Sequence, residues 1–203
     1  MRLFFQYILS VIFILQMYVM MVLITLFFSP LVIFKANLAM TAINTWCGWV
    51  KKSARILVGI KTEVRGIIPT DEVLIISKHQ SFLDIIMIVS VLERPKFIMK
   101  KEILITPIIG FWAKKIGCIP IDRGKKGAAI KEMVKAVHQS SKTRPGQLII
   151  FPQGTRVAPK AYAPYKIGSG ILYSELNQDC VPVATNVGVI WPRRGILRRS
   201  GLA

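Results

Sequence analysis

Val73-Leu74-Ile75-Ile76-Ser77-Lys78-His79-Gln80-Ser81-Phe82-Leu83-Asp84 is the stretch that sets the fold. The apolar run 73–77 reads as a strand, and the apolar stretch 82–91, hydrophobic nearly all round, reads as a buried or membrane-facing helix. His79 then falls in the loop at the carboxyl end of a strand, where open α/β sheets place their ligands. Asp84 falls in the first turn of the helix, where the dipole favours a carboxylate. Histidine takes and returns a proton near neutrality, and an acid five positions on can fix its tautomer and stabilise the imidazolium. This is the pattern of a general-base dyad; taken alone, the spacing also fits a structural pair.

Working outward, short apolar runs alternate with helical patterns after residue 50, as in βαβ units. Strands are expected at 73–77, 96–99, 119–121, 148–151 and 181–185, and helices at 82–91, 108–116 and 131–139. The prediction is one α/β domain over 51–203, a mixed sheet flanked by helices, large enough to bury a core. The segments 124–127 and 140–146 read as exposed turns.

Toward the amino terminus the composition changes. Residues 1–50 contain no acid and only two bases, Arg2 and Lys35, and residues 3–34 are uncharged. That exceeds the roughly 20 apolar residues that cross a hydrocarbon core and the roughly 7 to 15 of a signal peptide, so a retained membrane anchor is expected. It leaves open a single crossing or a re-entrant pair of helices broken near Pro30. Residues 36–50 form a weaker apolar stretch suited to the interface. Lys35, Lys51, Lys52 and Arg55 follow the anchor, which predicts that the downstream domain faces the cytoplasm. Cys47, Cys118 and Cys180 form neither a disulfide framework nor a metal-ligand spacing, consistent with a reducing compartment and no zinc site.

The net charge is +18, and after the first fifty residues twenty-six bases face ten acids. Such an excess calls for an anionic partner, and the anchor favours anionic membrane lipids over nucleic acid. Aromatic residues are not interleaved with the bases as single-strand binding would want, so no nucleic acid is expected.

Three further segments carry chemistry. Gly117-Cys118-Ile119-Pro120-Ile121-Asp122-Arg123 ends a strand on an acid and a base, and the planar Arg123 fork suits a phosphate. Phe151-Pro152-Gln153-Gly154-Thr155-Arg156 offers a glycine turn, a hydroxyl and a guanidinium, a plausible phosphate-holding turn. Val181-Pro182-Val183 is apolar, with a proline that places it at a sheet edge or strand start. No P-loop and no Gly-x-Ser-x-Gly elbow occurs, which removes support for nucleotide hydrolysis and serine-hydrolase chemistry.

In order and interval these four blocks resemble the glycerolipid acyltransferase family: H-x4-D at His79 and Asp84, G-x-I-x-I-D-R at 117–123, F-P-E-G-T-R at 151–156 and V-P-V at 181–183. Lys101-Glu102-Ile103-Leu104 and Trp191-Pro192-Arg193-Arg194 also look like family segments. The resemblance implies acyl transfer from acyl-CoA or acyl-carrier protein to a lysophospholipid, with lysophosphatidic acid giving phosphatidic acid. In that scheme His79 is the base and Asp84 its partner, while Arg123, Gln153, Gly154, Thr155 and Arg156 bind substrate. Pro182 belongs to an acyl-chain or core block. No metal or cofactor is implied, and the setting is a bacterial inner membrane with the catalytic domain on the cytoplasmic side. Two departures stand out. Gln153 replaces the family's glutamate, and the chain stops at Ala203, where further strands are expected. Another lysolipid acceptor, such as a lyso-ornithine lipid, or a non-catalytic basic membrane module are the alternatives.

Overall fold

The computed structural model describes residues 1–122, 124 and 127–203; Arg123, Lys125 and Lys126 lie outside the described residues. Five strands form the main sheet: β2 (Leu74–Ser77), β3 (Lys96–Lys100), β4 (Ile119–Ile121), β5 (Leu148–Ile150) and β6 (Cys180–Val183). Their order is β4-β3-β5-β2-β6. Every described pairing is parallel, which sharpens the expected mixed sheet. The reason is local: a helix lies in each connection, α3 (Leu83–Val89), α4 (Pro107–Lys115), α5 (Gly127–Thr143) and α6 (Gly168–Leu176), and a helical crossover returns the chain in the same direction.

The strands are apolar on both faces because both are covered. Ile75, Phe97 and Ile149 pack with Leu83 and Ile86 of α3 on one side, and Leu74, Leu148 and Ile150 with Met133, Val137 and Leu172 of α5 and α6 on the other. Pro182 sits opposite Ile76 on β6, which is an edge strand, the position that spares a proline its missing N–H.

The expected anchor is one helix, α1 (Arg2–Phe34), in which Pro30 is accommodated without a break, followed by α2 (Leu38–Ser53). At about 1.5 Å per residue α1 is roughly 50 Å long. It does not stand apart from the domain. Gln6 donates to the carbonyls of Val58 and Arg198, Phe13 meets Trp191 edge-on at 5.3 Å, and the Trp112 indole of α4 donates to Thr25 at 2.9 Å. α2 folds back along α1, with Trp46 donating to the Met17 carbonyl and Gln16 to Ser53. A stripe through Ser10, Phe13, Met17, Ile24 and Val32 is thereby buried, while Phe4, Phe5, Leu15, Val19, Leu26 and Phe27 stay exposed.

A single π-helical turn, Ala54–Val58, ends α2 and leads into β1 (Ile60–Lys61). This two-residue strand pairs in parallel with β7 (Gly201–Leu202), which follows the short α7 (Val187–Ile190).

Candidate active site

The sheet brings the separated sequence blocks to its carboxyl edge. His79 follows β2, the segment 151–156 follows β5 beside it, and Thr185 follows β6 on the other side. His79 is held by backbone bonds to both neighbours: its carbonyl accepts from Val157 N at 2.8 Å, and the preceding Lys78 N donates to the Val183 carbonyl at 3.3 Å. The imidazole stacks on Phe151, with centroids 4.0 Å apart and planes at 15°, and Phe151 in turn stacks on Phe97.

The expected pair is formed. His79 Nδ1 lies 2.9 Å from Asp84 Oδ2, with the carboxylate side chain 1% exposed and the imidazole 14%. The same Oδ2 accepts the backbone N–H groups of Gln80 and Ser81, each at 2.7 Å, and Oδ1 accepts the Thr185 hydroxyl at 3.1 Å. A carboxylate surrounded by donors has only acceptor capacity left for the histidine, so Nδ1 carries the hydrogen and donates. Nε2 is left with its lone pair free to accept a proton. The arrangement is that of a buried carboxylate orienting a partly accessible base.

Gln153 is buried, and its Oε1 faces His79 N at 3.4 Å, the long end for such a bond, so the amide braces the histidine loop. Gly154 takes φ +67°, in the left-handed region, and its N–H closes a turn on the Phe151 carbonyl at 2.8 Å; a Cβ there would stand 3.1 Å from the Lys166 side chain. Thr155 is exposed, and the Arg156 carbonyl accepts from Arg193 at 2.8 Å, which draws the later Arg193-Arg194 tract to this turn. Arg123 lies outside the described residues. Its neighbour Asp122, paired with Lys101, follows β4, a strand three spacings or about 14 Å from β2, which leads to His79.

Sequence reading missed Thr185, since a lone threonine after Val181-Pro182-Val183-Ala184 has no distinguishing pattern. It also left Phe151 without a role, although the aromatic residue opening that block was visible. A cavity of about 680 Å³ lies between α3, β6 and the loop 63–69, lined by Ile68, Met87, Val91, Pro182 and Leu202, with Asp84 and Thr185 among its polar walls. Among the described residues no cluster of three or more His, Cys, Asp or Glu side chains has the arrangement of a metal site.

Comparison with known proteins gives a consistent result. Residues 60–186 match the family model described as Acyltransferase. The 1-acyl-sn-glycerol-3-phosphate acyltransferase of Pseudomonas aeruginosa is 29% identical over 180 residues, covering 88% of this chain and 69% of that protein. The mouse 1-acyl-sn-glycerol-3-phosphate acyltransferase alpha is 34% identical over 134 residues, which are 64% of this chain and 47% of the mouse protein. The chain thus spans about half the length of that relative. The crystal structure of the 1-acyl-sn-glycerophosphate acyltransferase PlsC from Thermotoga maritima superposes with a TM-score of 0.75 over 97% of this chain and 83% of the other. Its 17% identity makes it a likeness of fold.

Proposed function

This chain belongs to the acyltransferase family, and from that membership and the His79–Asp84 geometry we propose that it moves a fatty acyl group onto the sn-2 hydroxyl of 1-acylglycerol 3-phosphate, forming phosphatidic acid. The donor is the thioester of acyl-CoA or acyl-carrier protein. His79 Nε2 takes the acceptor hydroxyl proton as that oxygen attacks the thioester carbonyl. The tetrahedral adduct then expels the thiolate, which recovers the proton from the imidazolium. Asp84 holds the ring and stabilises its cationic form, so that no covalent enzyme intermediate is required. The turn Gly154–Arg156 and Arg123 hold the acceptor phosphate by charge and by N–H donation, and the cavity behind Asp84 receives an acyl chain along its apolar residues Ile68, Met87, Val91 and Leu202.

We place the α1–α2 hairpin in the cytoplasmic leaflet of a bacterial inner membrane, lying along the interface. α1 is long and apolar enough to cross a membrane, but the domain is packed along it from Gln6 to Thr25. A helix so covered on one stripe and apolar on the rest suits a lipid surface on its open side.

The observation that carries the reading is the 2.9 Å approach of His79 Nδ1 to a carboxylate already receiving three other hydrogen bonds. Transfer of a radiolabelled acyl group from acyl-CoA or acyl-carrier protein to lysophosphatidate by membranes containing the chain tests it. Wild type is expected to form phosphatidate and His79→Ala to lose at least about 10²-fold in rate. Undiminished activity in the variant would remove His79 as the base, and no product from the wild type with either donor would remove the reaction.

A further inference from the structure

At the opposite, amino-terminal edge of the sheet a second cleft of about 310 Å³ opens where the elbow between α1 and α2 meets the domain. That is about ten water volumes. The elbow contributes Ala36, Asn37 and Met40. The domain contributes four bases, Arg94 and Lys96 at the start of β3, Lys115 at the end of α4 and Arg144 before β5. No acid lines it.

Among the described residues none of these bases has a carboxylate at ion-pair distance. Their polar contacts are with neutral groups: Arg94 donates to the Thr70 carbonyl, Arg144 to the carbonyls of Lys114 and Lys115, and Lys96 to Ser140 Oγ and the Arg144 carbonyl, while the Lys115 ammonium lies over the Phe111 ring. Glu72, which attracts Lys96 from a distance, is bonded to Gly146 and Gln178. Lys96 is 3% exposed, and its pKa is pushed down by burial, with Arg94 adding repulsion. Four like charges gathered at a cleft that none of the described acids lines raise the free energy of the site, Glu72 offsetting this only at Lys96, and a bound anion relieves it. The cleft adjoins the turn of a helix hairpin whose open faces are apolar, the depth at which phospholipid head groups lie.

We propose that this cleft binds the phosphodiester head group of an anionic phospholipid, fixing the hairpin and the domain in one orientation on the bilayer. The inference rests on the membrane placement of the hairpin given above. It concerns a site remote from His79, on the other edge of the sheet.

The test uses the full chain in phosphatidylcholine nanodiscs containing a phosphatidylglycerol that carries a photoactivatable diazirine on its head group, with labelled residues located by mass spectrometry. Labelling is expected at 36–40 and 115–116, competed by unlabelled phosphatidylglycerol but not by phosphatidylcholine or inorganic phosphate. Arg94→Gln with Lys115→Gln should lower it by roughly thirtyfold, the effect of two lost surface charges. Lys115→Gln alone, which removes no hydrogen bond, guards against a folding defect and should give a smaller loss in the same direction. Labelling confined to the surroundings of His79, labelling unaffected by the substitutions, or equal competition by phosphatidylcholine would overturn the proposal. Equal competition by inorganic phosphate would make this a free-phosphate site and overturn it as well. Acyl transfer to lysophosphatidate in detergent, measured on the same preparation, reports separately on the catalytic reading.

Discussion

Thr185 shows how much of the His79–Asp84 geometry depends on a residue outside the pair. Its hydroxyl donates to Asp84 Oδ1 and accepts from Val187 N, so it ties the end of β6 to the carboxylate. Thr185→Val leaves Oδ1 of a carboxylate whose side chain is 1% exposed without this donor, a loss of about 1–3 kcal/mol. The expected result is a fall in kcat of about five- to a hundredfold with KM for lysophosphatidate unchanged, and recovery in Thr185→Ser. A KM rise with constant kcat would assign Thr185 to substrate contact instead. Cys118 gives a second residue-scale expectation. Burial among the strands pushes its thiol from an ordinary 9.0 up to about 11. The unfolded chain releases this proton first, so between those two values it binds fewer protons than the folded chain, and stability falls as pH rises through the window. The part due to Cys118 is about 2–3 kcal/mol. Unfolding curves of wild type and Cys118→Ala should therefore converge from pH 9 to pH 11, and parallel curves would refute the assignment.

Among the elements, Gly110 in α4 is set by close approach. Thr106 caps the helix by accepting from Gly110 N at 3.1 Å, and a Cβ on Gly110 would stand 2.3 Å from the Leu104 carbonyl oxygen in the preceding 3-10 turn, Lys101–Ile105. Gly110→Ala is expected to cost about 1–3 kcal/mol as the turn is pushed away, read as a lowered unfolding midpoint. The elements that the sequence revealed are those whose signal is local. β4 occupies 119–121 as expected, and the apolar runs at 73–77 and 148–151 lie in the sheet with one residue trimmed. Helix α6 had no such signal, because Gly168 and Gly170 open it and its apolar residues do not gather on one face. β1 and β7 are two residues each, joined from opposite ends of the domain, and no window of sequence contains both. The dyad was legible because both members lie within six residues, whereas Thr185 reaches Asp84 across about a hundred.

For the whole molecule, the arrangement of α1 decides what its hydrophobicity means. A helix of this length standing across the bilayer would carry its two ends to opposite sides. The domain lies against both ends, however, through Val58 and Arg198 near Gln6 and through Trp112 near Thr25. An in-plane helix keeps its amino terminus on the side of the catalytic domain. A protease-cleavable tag placed before Met1 should accordingly resist protease added to intact spheroplasts and be cut only after lysis. Cleavage in intact spheroplasts would show a transverse helix and undo the in-plane placement.

The Gln6 side chain bonds to the Arg198 carbonyl across 192 residues of chain. At a synthesis rate of about 5–20 residues per second, α1 leaves the ribosome roughly 10 to 40 s before the backbone that completes its seat exists. Under the membrane placement proposed above, the part of the stripe that α2 does not cover and that will later meet Trp191 and the chain around Arg198 faces lipid during that interval. The stripe is built to tolerate this, since its polar members, Gln6, Ser10 and Gln16, are all uncharged and none would bar the helix from a bilayer. On that placement docking is a late step that exchanges lipid contacts for Trp191 and the chain around Arg198, with the membrane itself as chaperone of the nascent hairpin until then.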